Sequence, residues 1–365
     1  MGLFLCACFA LFSLSCRGAP NRESTPEIGS LIDALSESGG YFDTDNLISN
    51  ETSYVQVVDR LKPTGGVYIG VGPQQNFTYI GRMRPSWAFI MDIRRDNMLQ
   101  HLLFNAVLSK AETPYQYLCW LFSRPIHADR EPMRGASIRD VVSFFEKSAP
   151  SRELFNSNLS SFLEHIEEGL RVDLTRDDRE AIRSIYRSFY SEQLDIRFNS
   201  HGRPPMPYHP TYRRLLLARS PGGKEGHFLA SPEDYAHVRK LASSGRLVPL
   251  VGDFAGPSAL QAIGAFLKDR SESVSAFYVS NVEFYLIRTG RFGAYVDNLK
   301  SLPLREDAVF IRAYFNYGLS HPERLFGHRS TLVLQHVPRF LSLYDSGAYR
   351  SYWDVCTVDY LDFAE

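Results

Sequence analysis

The sequence predicts an α/β protein built on a mixed seven-stranded sheet, and three observations carry that prediction. Residues 65–92, GGVYIGVGPQQNFTYIGRMRPSWAFIMD, read as strand, glycine turn, helix and second strand ending on an acid. Between Arg246 and Phe284, two β-prone runs flank a helical one, and strands alternating with helices imply parallel pairing. Three more β-rich runs follow before the C-terminus, enough for a large mixed sheet.

From the N-terminus, the first 16 residues, MGLFLCACFALFSLSC, are almost wholly apolar. That run is too short to span a bilayer as a mature helix but has the length of a signal-peptide core. Its end, Ser13-Leu14-Ser15-Cys16, resembles a bacterial lipoprotein signal. The resemblance implies lipidation at Cys16 and a membrane-anchored protein of the cell envelope. The alternative is a buried N-terminal helix in a cytoplasmic protein.

Residues 17–55 read as a polar tether followed by a lid, with a short helix over Glu27–Ala34. The stretch 39–52 is dense in Asp, Asn, Ser and Thr, interrupted by Tyr41, Phe42, Leu47 and Ile48. It reads either as turns entering a capped helix that runs through Leu61, or as a flap over a cleft. In the second reading Asp45, Asn46, Asn50 and Glu51 supply polar contacts.

Residues 56–112 hold the first half of the sheet: a strand over Val67–Ile69, a helix over Gln75–Arg82, a strand over Ala88–Met91 and a helix over 96–112. Residues 113–235 then form a helical insertion between the second and third strands. Helical spacing covers Ile138–Lys147, Arg152–Leu170 and Arg176–Leu194. In the last, Ile182, Ile185 and Phe189 make a buried stripe, and Thr175 with Asp178 makes an N-cap. The loop Ser200–Tyr212, SHGRPPMPYHPTY, is a rigid surface turn or a substrate wall. Ser231-Pro232-Glu233-Asp234 starts another helix, with Pro first and acids in the first turn.

The second half, 236–365, supplies the remaining strands. These cover Arg246–Phe254 (RLVPLVGDF), Val274–Phe284, Ala308–Phe315, Thr331–Val337 and Trp353–Tyr360. A helix over Ser258–Lys268 has Leu260, Ile263 and Leu267 on one face.

The glycine turn narrows the ligand. Dinucleotide sites favour three glycines, whereas here the run is Gly70-Val71-Gly72-Pro73-Gln74-Gln75. Pro73 also removes a backbone donor from a loop that would have to cradle a pyrophosphate. A ligand without phosphates suits the loop better. At these residues the chain resembles the class I S-adenosylmethionine-dependent methyltransferases, with their Rossmann-like fold. The resemblance covers roughly residues 60–95 and 240–365. It implies S-adenosylmethionine as cofactor, with Gly70 and Gly72 letting it approach the backbone and Asp92 holding its ribose. Asp253 and Phe254 would hold the adenine edge, Ser280 and Asn281 would lie beside the methyl group, and Asn50 and Glu51 would belong to the lid. Tyr285, His336 and Glu283 are the candidate bases, and the insertion would select an unspecified methyl acceptor. Two positions depart from the family pattern: Tyr68 stands where an acid often faces the methionine amino group, and Gln74 where a small residue is usual. A protein that keeps the fold and binds a ligand or partner without turnover is the alternative.

Composition excludes other classes. A net charge of −1 over 365 residues lacks the basic excess of a nucleic-acid binder. The 20 Tyr and 25 Phe predict a well-filled core and aromatic-lined clefts. The ten His form no H-x-x-x-H or H-E-x-x-H pair and no C-x-x-C occurs, so no metal site is expected. The G-x-S-x-G elbow and the G-x-x-x-x-G-K-[ST] loop are both missing. Cys119 and Cys356 read as buried apolar residues.

Overall fold

The computed structural model describes residues 27–127, 135–203 and 206–362; the apolar leader and Cys16 lie outside the described residues. Six strands form one sheet: β1 (Val67–Gly70), β2 (Trp87–Asp92), β3 (Leu247–Val251), β4 (Val274–Ser280), β5 (Leu304–Phe315) and β6 (Ser330–His336). Their spatial order is β3-β2-β1-β4-β5-β6. The first five pair in parallel, and β6 lies antiparallel to β5. Every residue of β1, β2 and β3 is buried, so their sequences are continuous apolar runs rather than alternating ones.

The helices cover both faces. α1 (Ile28–Leu35) precedes the sheet, and α2 (Gln75–Met83) crosses from β1 to β2. Between β2 and β3 run α3 (Arg95–Lys110), α4 (Pro114–Leu121), α5 (Ile138–Phe145), α6 (Arg152–Glu164), α7 (Arg176–Glu192), α8 (Tyr212–Leu216) and α9 (Pro232–Ser243). α10 (Ala259–Asp269) follows β3. α11 (Val282–Arg288) and α12 (Phe292–Ser301) follow β4, and α13 (Val337–Asp345) and α14 (Tyr352–Thr357) follow β6.

Local chemistry sets the helix starts. At α7, Thr175 and Asp178 form the reciprocal capping box that their spacing predicts. The Arg95 guanidinium grips the Asp178 carboxylate at 2.6 and 2.9 Å and holds it down at about 2, which ties α7 to α3. At α9, Ser231 accepts from the Asp234 N–H and Pro232 takes the first turn.

Three expectations fail locally. The seventh strand, expected over Trp353–Tyr360, is instead α14. Ser351 caps it by accepting from the Asp354 N–H, and Tyr352, Val355 and Cys356 bury at helical spacing. The Tyr352 hydroxyl donates to the Ala313 carbonyl of β5 at 2.9 Å, which pins this helix to the sheet. The capped helix expected through Leu61 is a single 3₁₀ turn, Tyr54–Val57. The run expected as a strand to Phe284 ends at Ser280, whose φ of +49° stops the strand before α11. Cys119 and Cys356 are buried free thiols. Among the described residues no helix is long and apolar enough to cross a membrane.

Candidate functional site

Strand order reverses at β1. The chain goes from β1 to β2 on one side and later places β4 on the other, so the loops after β1 and β4 diverge. Such a switch point leaves a crevice at the carboxyl ends of parallel strands. Here it holds a cavity of about 310 Å³, bounded by residues that follow β1, β2, β3 and β4 and by segment 42–51.

The loop after β1 is built from within. Asn76, in the first turn of α2, donates through Nδ2 to the carbonyls of Val71, Gly72 and Pro73 at 2.9, 3.3 and 2.7 Å. Its Oδ1 accepts from the Tyr68 hydroxyl at 2.8 Å. A Cβ at Gly70 would lie 2.0 Å from that Oδ1. Gly70 therefore makes room for Asn76 and does not line the cavity, contrary to the expectation that both glycines face a cofactor. Gly72, at φ +79°, does line it, beside Val71 and Pro73. Its carbonyl also accepts from His101 Nε2 at 2.8 Å. Burial pulls that imidazole down to about 4, so it is neutral at pH 7.

The next two tips carry Asp92 and Asp253, both on the cavity wall. Neither carboxylate is free. Asp92 accepts from the Arg94 N–H and from two atoms of its guanidinium, at 2.9, 3.1 and 2.9 Å. Arg94 in turn donates to the carbonyls of Thr44 and Asp45, tying the β2 tip to the segment that precedes β1. Asp253 pairs with Arg291 at 2.5 Å and accepts from the Ala255 N–H at 2.9 Å. The Asp253 N–H itself donates to Glu37, which also accepts from the N–H groups of Ser258 and Ala259 at the start of α10. Burial works to raise the Glu37 carboxyl, but these donors prevail and hold it below its ordinary value. Phe254 stands edge-on to Phe277 at 4.8 Å and is 3% exposed.

Glu51 and Ser280 meet at the fourth tip. The Glu51 carboxyl, 1% exposed, accepts from Gln75 Nε2 at 2.6 Å, the Tyr278 hydroxyl at 2.9 Å and Ser280 Oγ at 2.5 Å. All three donors are neutral. Burial raises its pKa, and the donors offset this only in part. An uncompensated buried carboxyl on a cavity wall favours a positively charged or hydrogen-donating ligand group.

A second cavity, of about 540 Å³, adjoins the first and shares Phe42, Asn46, Asn50, Ser280, Asn281 and Tyr285 with it. The proline-rich loop forms part of its wall through Ser200, Arg203, Met206, Tyr208 and His209. The end of β5 and the start of α14 supply another part.

The structure thus brings together Gly72, Asp92, Asp253, Phe254, Ser280, Asn281, Asn50 and Glu51 around one cavity. Gly70 is not on its wall. Asp45 lies off both walls, where its carboxylate accepts from the N–H groups of Leu47 and Asn199. Of the candidate bases, Tyr285 lies on the wall shared by both cavities. Glu283 is sealed in an ion pair with Arg312, each side chain 0% exposed. His336 ends the edge strand β6, opposite Val309 in the middle of β5, and lines neither cavity. Sequence reading missed Arg94, Arg291, Gln75 and Tyr278. Tyr278 had a signal: it lies two residues before Ser280 on the same strand, so both face one way.

A family model for a domain of unknown function (DUF7790) matches residues 46–128 and 136–354. The match spans well over half of the chain, and the chain belongs to this family. No curated protein matches the sequence.

Proposed function

We propose that the chain is an S-adenosylmethionine-dependent methyltransferase with a Rossmann-like fold. The observation that carries the reading is the convergence of the β1, β2, β3 and β4 tips on one cavity that opens into a larger neighbour. Bound in the smaller cavity, S-adenosylmethionine supplies a cationic sulfonium whose methyl group is ready for transfer. Once ionised by the bound cation, Glu51 offers a counter-charge to the sulfonium or to the methionine amino group, whose usual acid is absent at Tyr68. The loop 71–73 presents backbone and Pro73 rather than a cradle of N–H donors, which suits a ligand without phosphates. Asp92 and Asp253, oriented by Arg94 and Arg291, offer their remaining lone pairs to hydroxyl and amine groups. Asn50, Ser280, Asn281 and Tyr285, on the shared wall, orient the acceptor, and alignment supplies most of the rate. Calorimetric titration with S-adenosylmethionine is expected to show micromolar binding. No binding at millimolar concentration overturns the reading.

The ion pairing of both Asp92 and Asp253 favours a second reading: a lipid-anchored envelope protein that binds a ligand in this crevice without turnover. It requires palmitate labelling that Cys16→Ser abolishes, and ligand binding with no label transferred from methyl-labelled S-adenosylmethionine.

A further inference from the structure

We propose that the larger cavity is the acceptor site and that it takes a flat, uncharged aromatic ring compound. This rests on reading the smaller cavity as the cofactor site. Its wall is unusually rich in rings: Phe284, Tyr285, Tyr314, Phe315, Tyr317 and Trp353 are among those that line it. These come from α11, from the end of β5 and just beyond it, and from α14, so the wall is not one core face left uncovered.

Several of the rings are set edge to face, while Phe315 stacks on Tyr317 at 5.8 Å and 12° and Tyr314 on Tyr352 at 6.1 Å and 26°. Phe42 meets Tyr285 at 5.0 Å and 88°, Phe284 meets Tyr285 at 5.3 Å and 84°, and Tyr314 meets Trp353 at 5.3 Å and 69°. In such pairs one ring's edge covers only one face of its partner, and an incoming ring completes the packing in the same way. Two rings stay open to solvent: Tyr285 is 40% and Tyr317 69% exposed. Exposed aromatics beside a concave apolar wall mark ligand grooves more than random surface. The volume, about 540 Å³, lies in the range of small-molecule sites and leaves ample room for a molecule of two or three fused rings.

Charge argues for a neutral occupant. The wall's acid and its arginine, Asp43 and Arg203, pair with each other. His209 is held by the Phe198 carbonyl at 3.2 Å through Nδ1, and burial lowers its pKa. Among the described residues of this wall no unpaired charge matches a phosphate, carboxylate or ammonium. The polar groups at the junction, Asn50, Ser280 and Asn281, lie where a ring hydroxyl or ring nitrogen would face the cofactor cavity.

The test uses the full chain and naphthol as probe, with decahydronaphthol and naphthalene sulfonate as the saturated and charged controls. Saturation-transfer NMR and calorimetry are expected to give naphthol binding at least about tenfold tighter than either control. Tyr317→Ala and Tyr285→Ala are each expected to weaken naphthol about three- to tenfold. Tyr317 lines only the larger cavity, so its replacement leaves S-adenosylmethionine affinity unchanged. Equal binding of naphthol and decahydronaphthol overturns the ring-compound assignment, as does full naphthol affinity in both variants. Naphthol binding without S-adenosylmethionine binding overturns the acceptor role through its premise. S-adenosylmethionine binding without discrimination among the three probes overturns the ring assignment alone.

Discussion

Glu51→Gln separates the charge of the buried carboxyl from its shape. Gln75 and Tyr278 donate to one Glu51 oxygen, and Ser280 donates to the other. A glutamine keeps an acceptor for the first pair, and the Ser280 hydroxyl turns to accept from the new amide. All three contacts survive, so stability at low pH is expected within about 1 kcal/mol of the parent. Ligand binding is different. Loss of a charge-assisted hydrogen bond costs about 1.5–3 kcal/mol, which is about a 10- to 150-fold weaker Kd for S-adenosylmethionine. The pH dependence follows from burial. Glu51 holds its proton to higher pH in the folded chain than in the unfolded one. Its contribution to stability is therefore full below the ordinary glutamate range and is lost as pH rises through the folded value. Glu51→Gln lacks that loss. A cationic ligand shifts Glu51 toward the ionised form, so binding releases a proton and the measured heat depends on the buffer's ionisation enthalpy. Calorimetry in two buffers reads both effects. Glu51→Gln binding within about twofold of the parent, with buffer-independent heat in both proteins, refutes the reasoning.

Three further outcomes concern the frame around the site. Glu283→Gln leaves Arg312 buried beside Phe310 without its carboxylate partner, and is expected to lower the unfolding free energy by about 3–5 kcal/mol in urea titrations. The pair Glu283→Leu with Arg312→Met recovers much of that loss, because no charge is then stranded. Gly70→Ala drives a Cβ to 2.0 Å from Asn76 Oδ1, and is expected to cost about 1–3 kcal/mol by the same measurement. Burial holds His101 at about 4 and His227 at about 3, both below the ordinary 6.5. The unfolded chain then binds more protons than the folded one as pH falls below 6.5. Stability is full above that pH and falls by up to roughly 1.4 kcal/mol per histidine for each unit of acidification. A flat urea midpoint across that range contradicts the buried neutral imidazoles.

Much of the frame was legible because its causes are local. Continuous apolar runs marked β1, β2 and β3, since a strand buried on both faces has no polar alternation to show. Thr175 and Asp178, three residues apart, announced a capping box, and Ser231-Pro232 announced α9. The acids at the strand tips were legible for the same reason, since parallel strands aligned in register bring their carboxyl ends to one edge of the sheet. The sequence by itself therefore determined the parallel core strands and put Asp92 and Asp253 at the same end of them. Whether Asp92 and Asp253 stand free was decided only in the tertiary structure, which supplies Arg291 from beyond β4 and turns Arg94 back on its neighbour. The same holds for 353–360, where the Tyr352 hydroxyl donating to the Ala313 carbonyl favours a helix over a seventh strand, although the Ser351 cap was a local signal. The aromatic cavity was decided there too. Its walls come from near residues 42, 203, 284, 315 and 353, and contacts across such separations leave no periodicity in the chain.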